Sequence, residues 1–214
     1  MATGTELPRL MLVTDRRRTR GRSLVPIVAE AVRGGVGLVQ IRERDLPDDE
    51  LRAMVQRIRA SVPPETRLVV NSSRRVARTM RTGLHLPASE PPEPPAERAH
   101  YALLGRSAHD EAEARVGMEE DASYLIVGTV YPTASKPGRP AGGPALIERI
   151  RRQVGPMPVY AIGGIAVTTI PALIHAGAHG VAVCGAILQA NDPRRVSQAM
   201  ALALEVARGT EASG

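Results

Sequence analysis

The stretch VYAIGGIAVTTIPALIHAGAHGVAVCGAI, residues Val159–Ile187, decides the fold class, because it combines two apolar runs with an amphipathic segment between them. The runs Val159–Ile162 and Gly180–Cys184 are nearly continuous in hydrophobic residues, as in parallel strands that are covered on both faces. The segment Thr168–Ala176 between them has helical spacing and ends at glycine, the usual helix-ending residue. The stretch therefore predicts one βαβ unit of a parallel sheet.

The same alternation of strand and helix extends over the rest of the chain. The other predicted strands are Leu10–Thr14, Gly37–Arg42, Arg67–Asn71, Gly83–Leu86, Tyr101–Ser107 and Tyr124–Gly128. The other predicted helices are Leu24–Arg33, with Ser23 as N-cap, Asp48–Ala60, Ser72–Arg81, Asp110–Gly117, Ala145–Gln153 and Pro193–Ala207. Eight such units in 214 residues predict the α/β class and a single (β/α)8 TIM barrel with parallel strands.

One connection of the predicted barrel departs from this pattern. The segment PASEPPEPPAER, Pro87–Arg98, carries five prolines in twelve residues, which is incompatible with a normal crossover helix. We therefore expect the fourth crossover helix to be short or missing. The chain is interpreted as a single TIM-barrel domain spanning residues 1–214, with the barrel from about 10 to 207 and short flexible termini.

Composition narrows the class of partner. Cys184 is the single cysteine, the chain start has no secretory pattern, and no apolar run reaches the roughly 18 residues of a membrane span, so we expect a cytoplasmic protein without a membrane partner. The net charge of +6 comes from arginines scattered along the chain, and there is no Phe or Trp to stack on bases. This pattern favours anionic metabolites over nucleic acid. The sequence is compatible with both a monomer and a homo-oligomer.

A phosphate site is the clearest functional prediction. In this fold, chemistry gathers at the carboxyl ends of the strands, and phosphate often binds the loops after strands seven and eight. Those two strands end in Gly163-Gly164 and in Cys184-Gly185. Glycine lets the backbone approach an anion closely. The alternative is that these glycines only form tight turns, but their occurrence at both expected strands favours phosphate binding.

Further polar side chains follow the other predicted strands. Lys136, in the loop after strand six, is the only lysine among 28 basic residues, which favours a specific role for a compact ammonium group. His109 follows strand five, and a histidine at a barrel mouth is a candidate general acid or base. His85, inside strand four, is interpreted as packed, and no His/Cys group has metal-ligand spacing. The remaining candidate ligand-binding residues are Gln40, Arg42, Arg44, Asn71, Ser107, Thr133 and Ser135.

Seven motifs together resemble the thiamine phosphate synthase superfamily over about Leu10 to Asp192. The resemblance implies a barrel that binds a thiazole phosphate, with its phosphate near Gly164 and Gly185. The motifs are VQIRER (Val39–Arg44), VVNS (Val69–Ser72), LHLPAS (Leu84–Ser89), GRSAH (Gly105–His109), GTVYPTASKPG (Gly128–Gly138), AIGGI (Ala161–Ile165) and AVCGAI (Ala182–Ile187).

Two branches of that superfamily are compatible with the motifs. Thiamine phosphate synthase joins a pyrimidine pyrophosphate to the thiazole phosphate, and it needs Mg²⁺ held by an Asn-Asp pair after strand three and an acidic cluster after strand four. Here those positions read Asn71-Ser72 and Pro87-Ala88-Ser89-Glu90. One carboxylate and a serine make a poor Mg²⁺ site, because the ion prefers carboxylates alongside substrate oxygens.

The other branch is the thiazole tautomerase (TenI-like) branch. It resembles this chain at the positions where the chain departs from the synthase pattern. It converts a non-aromatic carboxythiazole phosphate into its aromatic tautomer without a metal, and the resemblance places the acid/base role on His109. We therefore predict an isomerase of thiamine biosynthesis that needs no cofactor. A synthase with a degenerate Mg²⁺ site, which would be a transferase, is the second interpretation. A non-catalytic regulator that binds thiazole or thiamine phosphates is the third.

Overall fold

The computed structural model describes residues 6–133, 138 and 140–211, with the side chains of 210 and 211 left aside. Eight parallel strands, paired in sequence order, close into a barrel because β8 pairs with β1. The strands are β1 Leu10–Val13, β2 Leu38–Ile41, β3 Arg67–Asn71, β4 Gly83–Leu86, β5 Leu104–Ala108, β6 Tyr124–Val127, β7 Val159–Ile162 and β8 Gly180–Val183. The predicted α/β barrel is confirmed.

Helices occupy the connections between the strands. They are α1 Leu24–Arg33, α2 Asp48–Ser61, α3 Arg74–Thr79, α4 Pro95–Arg98, α5 Glu111–Glu119, α6 Gly143–Val154, α7 Ile170–His175, α8 Gly185–Leu188 and α9 Pro193–Glu211, with 3-10 turns at Arg16–Arg18 and Val167–Thr169. The described helices lack the apolar length that a bilayer span requires. The short turn Arg16–Arg18 and the helix α8 are the elements that sequence analysis missed.

Several element boundaries differ from the prediction by one or two residues, the last helix ends four residues later, and the fifth strand starts three residues later. The fifth strand starts at Leu104 and not at Tyr101, because the N–H of Tyr101 donates to the carbonyl of Arg98 and so continues the turn after α4. Ser23 precedes α1 as predicted, but its side chain makes no cap hydrogen bond.

Alternation along the strands divides the core into two layers. In β1, Leu10 and Leu12 belong to the layer between strands and helices, whereas Met11 and Val13 point into the barrel. Tyr124 and Tyr160 fill the interior with their rings in an edge-on arrangement, 5.5 Å between centroids. Gly105 is required opposite them, because a Cβ there would lie 2.1 Å from Cζ of Tyr124. The aromatic packing closes the barrel interior below its carboxyl-terminal mouth.

The fourth crossover is short, as predicted, since α4 spans four residues. Ion pairs replace the apolar contacts of a full helix. Arg106 shares the outer face of β5 with Leu104, is 1% exposed, and pairs with the buried carboxylate of Glu120. Its Nη1 also donates to the carbonyls of Pro87 and Glu90 in the proline-rich loop, at 3.2 and 3.1 Å. A buried cation on β5 therefore ties this loop to the barrel wall.

Candidate functional site

A cavity of about 550 Å³ opens at the carboxyl ends of the strands. All eight strands contribute to its lining, so a ligand there touches residues that are distant in the sequence. The structure brings together these predicted site residues around the cavity: Gln40, Arg42, Arg44, Asn71, Ser107, His109, Thr133, Gly163, Gly164, Cys184 and Gly185. The predicted residues Ser135 and Lys136 lie outside the described part of the chain.

The glycine turn after β7 has a backbone that side chains rarely adopt. Gly163 and Gly164 have φ of 108° and 62°. A Cβ on Gly164 would lie 2.5 Å from the carbonyl oxygen of Pro132, and a Cβ on Gly163 would lie 2.7 Å from Cγ2 of Thr129. The turn is thus packed tightly against the loop after β6. Its two glycines expose backbone toward the cavity, as an anion site requires.

Arg18, in the turn after β1, lies beside the second glycine turn because β1 pairs with β8. A Cβ on Gly185 would lie 3.3 Å from Nη2 of Arg18, so the guanidinium group lies against the turn between β8 and α8. The Nε atom of Arg18 is buried, and among the described residues it has no hydrogen-bond partner. Sequence analysis missed this residue. The run of three arginines that begins one residue after Asp15 was the available signal.

Cys184 precedes Gly185 and packs against both core layers. Burial raises the pKa of its thiol to about 11. The thiol is therefore protonated near neutral pH and contributes shape, not nucleophilicity.

His109 is held by a carboxylate one helical turn later. Asp110 caps α5 by accepting from the N–H of Glu113, at 2.9 Å. Oε2 of Glu113 lies 2.7 Å from Nδ1 of His109 and accepts the backbone N–H of His109 at the same distance. Because Nδ1 is engaged by Glu113, Nε2 is the nitrogen suited to proton exchange with a ligand. Glu113 was not predicted, although its i+4 spacing from His109 was visible in the sequence.

His85 is buried, as its interpretation as a packed residue implies, but it also lines the cavity, which was not predicted. Its Nε2 is 2.9 Å from Oγ of Ser107, and its ring stacks on Tyr124. Burial, with the nearby positive charges of Arg106, Arg42 and Arg44, lowers the pKa of His85 to about 3. The imidazole is therefore neutral near pH 7.

One side of the cavity is lined by two arginines that follow β2 and by amide side chains of β2 and β3. Arg42 is half-buried, and burial together with the charge of Arg44 lowers its pKa. Among the described residues, no carboxylate forms an ion pair with either guanidinium group. Gln40 donates to Oδ1 of Asn71 at 3.1 Å, and Asn71 donates to Oγ of Ser72 at 2.7 Å. The cavity is therefore strongly cationic on this side and suits an anionic ligand.

The carboxylates beside the cavity do not fit a Mg²⁺ site. Glu43, Asp48 and Glu90 line an adjoining cavity of about 480 Å³. Each is already held by an arginine: Glu43 by Arg16 at 3.3 Å, Asp48 by Arg75 at 2.6 Å, and Glu90 by Arg74 at 3.0 Å. The described residues hold no group of three or more acidic, His or Cys side chains arranged for a metal ion. Mg²⁺ would have to displace these ion pairs to gain its carboxylate ligands.

Comparisons with known proteins give the family. The family model described as "Thiamine monophosphate synthase" (TMP-TENI) matches residues 10–187. The thiamine-phosphate synthase of Mycobacterium tuberculosis (strain ATCC 25177 / H37Ra) is 35% identical over 214 residues, covering 93% of this chain and 96% of that protein. The thiamine-phosphate synthase of Mycolicibacterium gilvum (strain PYR-GCK) is 34% identical over 211 residues, covering 93% and 89%.

Solved structures agree with the barrel. The thiamine phosphate pyrophosphorylase from Pyrococcus furiosus superposes with a TM-score of 0.82 and 27% identity, covering 93% of this chain and 96% of that one. The Amycolatopsis orientalis BexX/CysO complex superposes with a TM-score of 0.71 at 19% identity, which shows a shared fold alone. By the family match over most of its length and by relatives more than one third identical in sequence, the chain belongs to the thiamine monophosphate synthase family.

Proposed function

We propose that this protein binds a thiazole phosphate at the mouth of its barrel and acts on it in thiamine phosphate biosynthesis. Three features support this proposal: membership of the family, the positive-φ glycine turn after β7, and the cationic wall formed by Arg42 and Arg44. The phosphate ester would lie between the turns at Gly164 and Gly185, where Arg18 adds a guanidinium group.

The geometry favours tautomerisation as the reaction. The observation that carries this choice is the hydrogen bond between His109 and Glu113. It places an oriented imidazole in the cavity that the two glycine turns also line. In this reaction Nε2 of His109 takes a proton from the ring carbon, and the same nitrogen returns it to the exocyclic carbon, so that no proton is gained or lost. The carboxylate of Glu113 stabilises the transient imidazolium group. Each of the three carboxylates that line the adjoining cavity is paired with an arginine, and so is Asp15 in the main cavity, which is consistent with chemistry that needs no metal.

Synthesis of thiamine phosphate is the second candidate, and the names of the relatives support it better than they support tautomerisation. The relatives from Mycolicibacterium gilvum and Mycobacterium tuberculosis, at 34 and 35% identity, are both named thiamine-phosphate synthases. The carboxylates available for Mg²⁺ are held in ion pairs with arginines and do not fit the ion in this arrangement.

Two assays on the purified protein separate the candidates. In the first, aromatisation of carboxythiazole phosphate is followed by ultraviolet absorbance in the presence of EDTA. In the second, thiamine phosphate formation is measured from the pyrimidine pyrophosphate and thiazole phosphate with Mg²⁺. We expect turnover in the first assay and none in the second. Turnover only in the second, with Mg²⁺ dependence, would make the protein a synthase. Binding without turnover in either would leave a non-catalytic binding protein.

A further inference from the structure

His85 and Ser107 form a hydrogen-bonded pair on the inner wall of the barrel. β4 and β5 place His85 opposite Gly105, and Ser107 follows two residues later on the same interior face. His85 is 1% exposed and Ser107 is half-buried, and both line the cavity. The distance of 2.9 Å between Nε2 and Oγ allows either atom to be the donor, so the direction depends on the imidazole tautomer.

The surroundings of the other ring nitrogen favour one tautomer. Nδ1 of His85 is buried and, among the described residues, has no hydrogen-bond partner. If Nδ1 carried the proton, a buried N–H would lack an acceptor, which is rarer in folded proteins than an under-used acceptor. If Nε2 carries the proton, it donates to Oγ of Ser107 and only a lone pair on Nδ1 is left unused. The second arrangement is the less costly one.

The direction of this bond determines what Ser107 can offer a ligand. A hydroxyl has one hydrogen and two lone pairs. When Oγ accepts from His85, its hydrogen is available to the cavity. The cationic wall at Arg42 and Arg44 selects ligands whose oxygens are acceptors, and such a ligand is complementary to a donor at Ser107.

We infer that His85 is a positioning residue, which donates from Nε2 and thereby fixes the hydroxyl of Ser107 as a hydrogen-bond donor to an anionic group of the ligand. The inference rests on the proposed function in one respect, namely that the ligand binds in the cavity at the barrel mouth. Because the imidazole stays neutral near pH 7, it acts through its tautomer and not through its charge. Burial is the main cause of that neutrality, and the positive charges of Arg106, on the far face of the barrel wall, and of the two cavity arginines add to it.

The tautomer is measured directly on the ligand-free protein. Long-range proton–nitrogen correlation spectra of ¹⁵N-labelled protein report which ring nitrogen carries hydrogen, and Ser107→Ala identifies the His85 signals because it perturbs their Nε2. We expect a protonated Nε2, an unprotonated Nδ1 and no titration between about pH 5 and 8. A protonated Nδ1, or a ring that becomes charged in that range, would overturn the inference whatever reaction the protein catalyses.

A double-mutant cycle tests the action on the ligand. His85→Leu removes the donor, and we expect it to weaken the binding of thiazole phosphate about tenfold, as the loss of one hydrogen bond does. In a Ser107→Ala background the same change should have little further effect. His85→Gln, which can keep a donor near Oγ, should restore most of the affinity.

Circular dichroism confirms that each variant is folded. An equal loss from His85→Leu in both backgrounds would mean that His85 affects binding independently of Ser107, and the positioning role would be wrong. The affinity of the unmodified protein for thiazole phosphate tests the proposed function separately. Failure of the cycle and failure of the proposed function are therefore distinguishable.

Discussion

Oε2 of Glu113 accepts two hydrogen bonds from His109, one from the backbone N–H and one from the ring Nδ1, both at 2.7 Å. The carboxylate thus fixes the ring relative to the start of α5. The His109 side chain is 23% exposed and lines the cavity. This pairing matches the arrangement of a general base that is held in place by a carboxylate group. It gives the first prediction.

His109→Asn should retain affinity for thiazole phosphate within a few-fold but lose at least about a hundredfold in tautomerisation rate, because a positioned acid/base contributes about 10²–10⁴. Glu113→Gln should lose less, about tenfold or more, since it removes one charge-assisted hydrogen bond and keeps the acid/base. The rate is followed by ultraviolet absorbance and the affinity by calorimetry. A near-normal rate in His109→Asn would assign proton transfer to water or to another residue.

Gly164 and Gly21 provide a matched pair for testing the phosphate site. Both have positive φ, 62° and 75°, but a Cβ on Gly164 would meet the carbonyl oxygen of Pro132, whereas a Cβ on Gly21 would meet nothing within 4 Å. Gly164→Ala should weaken binding of the phosphate ester at least about tenfold, whereas Gly21→Ala carries only backbone strain. Calorimetry with thiazole phosphate and with the dephosphorylated thiazole measures the difference. Equal affinity of the unmodified protein for the two ligands would refute the phosphate site.

Arg18 should contribute to phosphate affinity. Arg18→Gln removes the guanidinium group beside Gly185, and we expect roughly tenfold to hundredfold weaker binding of the phosphate ester, the range for a hydrogen bond to a charged group. Binding of the dephosphorylated thiazole should not change. Arg20→Gln, at an exposed position of the same loop, is the control and should match the unmodified protein. Equal losses for both variants would indicate a general charge effect and not a contact.

The barrel was predictable because the relevant signals are local. Each strand is a short apolar run, glycines mark the turns after β7 and β8, and the prolines of Pro87–Arg98 exclude a long helix. These patterns involve neighbouring residues, so a single sequence displays them.

The rest of the site depends on contacts between distant residues. Arg18 reaches the turn at Gly185 only because β1 pairs with β8, which a reading of residues 16–18 alone does not reveal. His85 looked like a core residue, and it is buried, but burial did not show that its ring meets Ser107 on the next strand. Strand pairing, including the β1–β8 pairing that closes the barrel, therefore determines which polar residues become neighbours.

Stability should depend on the ion pair that replaces a full fourth helix. Glu120→Gln leaves Arg106 buried without a charged partner, and we expect a loss of about 3 kcal/mol or more in the free energy of unfolding. Arg149→Met, which breaks an exposed ion pair with Glu111, should cost about 1 kcal/mol or less. Urea denaturation measures both. Similar small losses would show that Arg106 is compensated by the carbonyls of Pro87 and Glu90.

Acidification should destabilise the protein through His85. Its pKa is about 3 in the folded chain, against 6.5 for the unperturbed side chain, with burial as the largest cause and repulsion from Arg106, Arg42 and Arg44 adding to it. The unfolded chain therefore binds a proton at His85 before the folded chain does. The stabilisation is complete above pH 6.5 and is lost progressively as the pH falls toward 3.

His85→Gln cannot titrate, so its stability should depend less on pH over this range. Between about pH 6.5 and 5, above most carboxylate titration, the unmodified protein should lose up to about 1.4 kcal/mol per pH unit relative to the variant. His179, whose pKa burial also lowers, is present in both proteins, so its contribution cancels from the difference. Urea denaturation at several pH values gives the two slopes. Parallel slopes would mean that His85 accepts a proton in the folded protein without loss of stability, and hence that the pocket wall admits a charged imidazole.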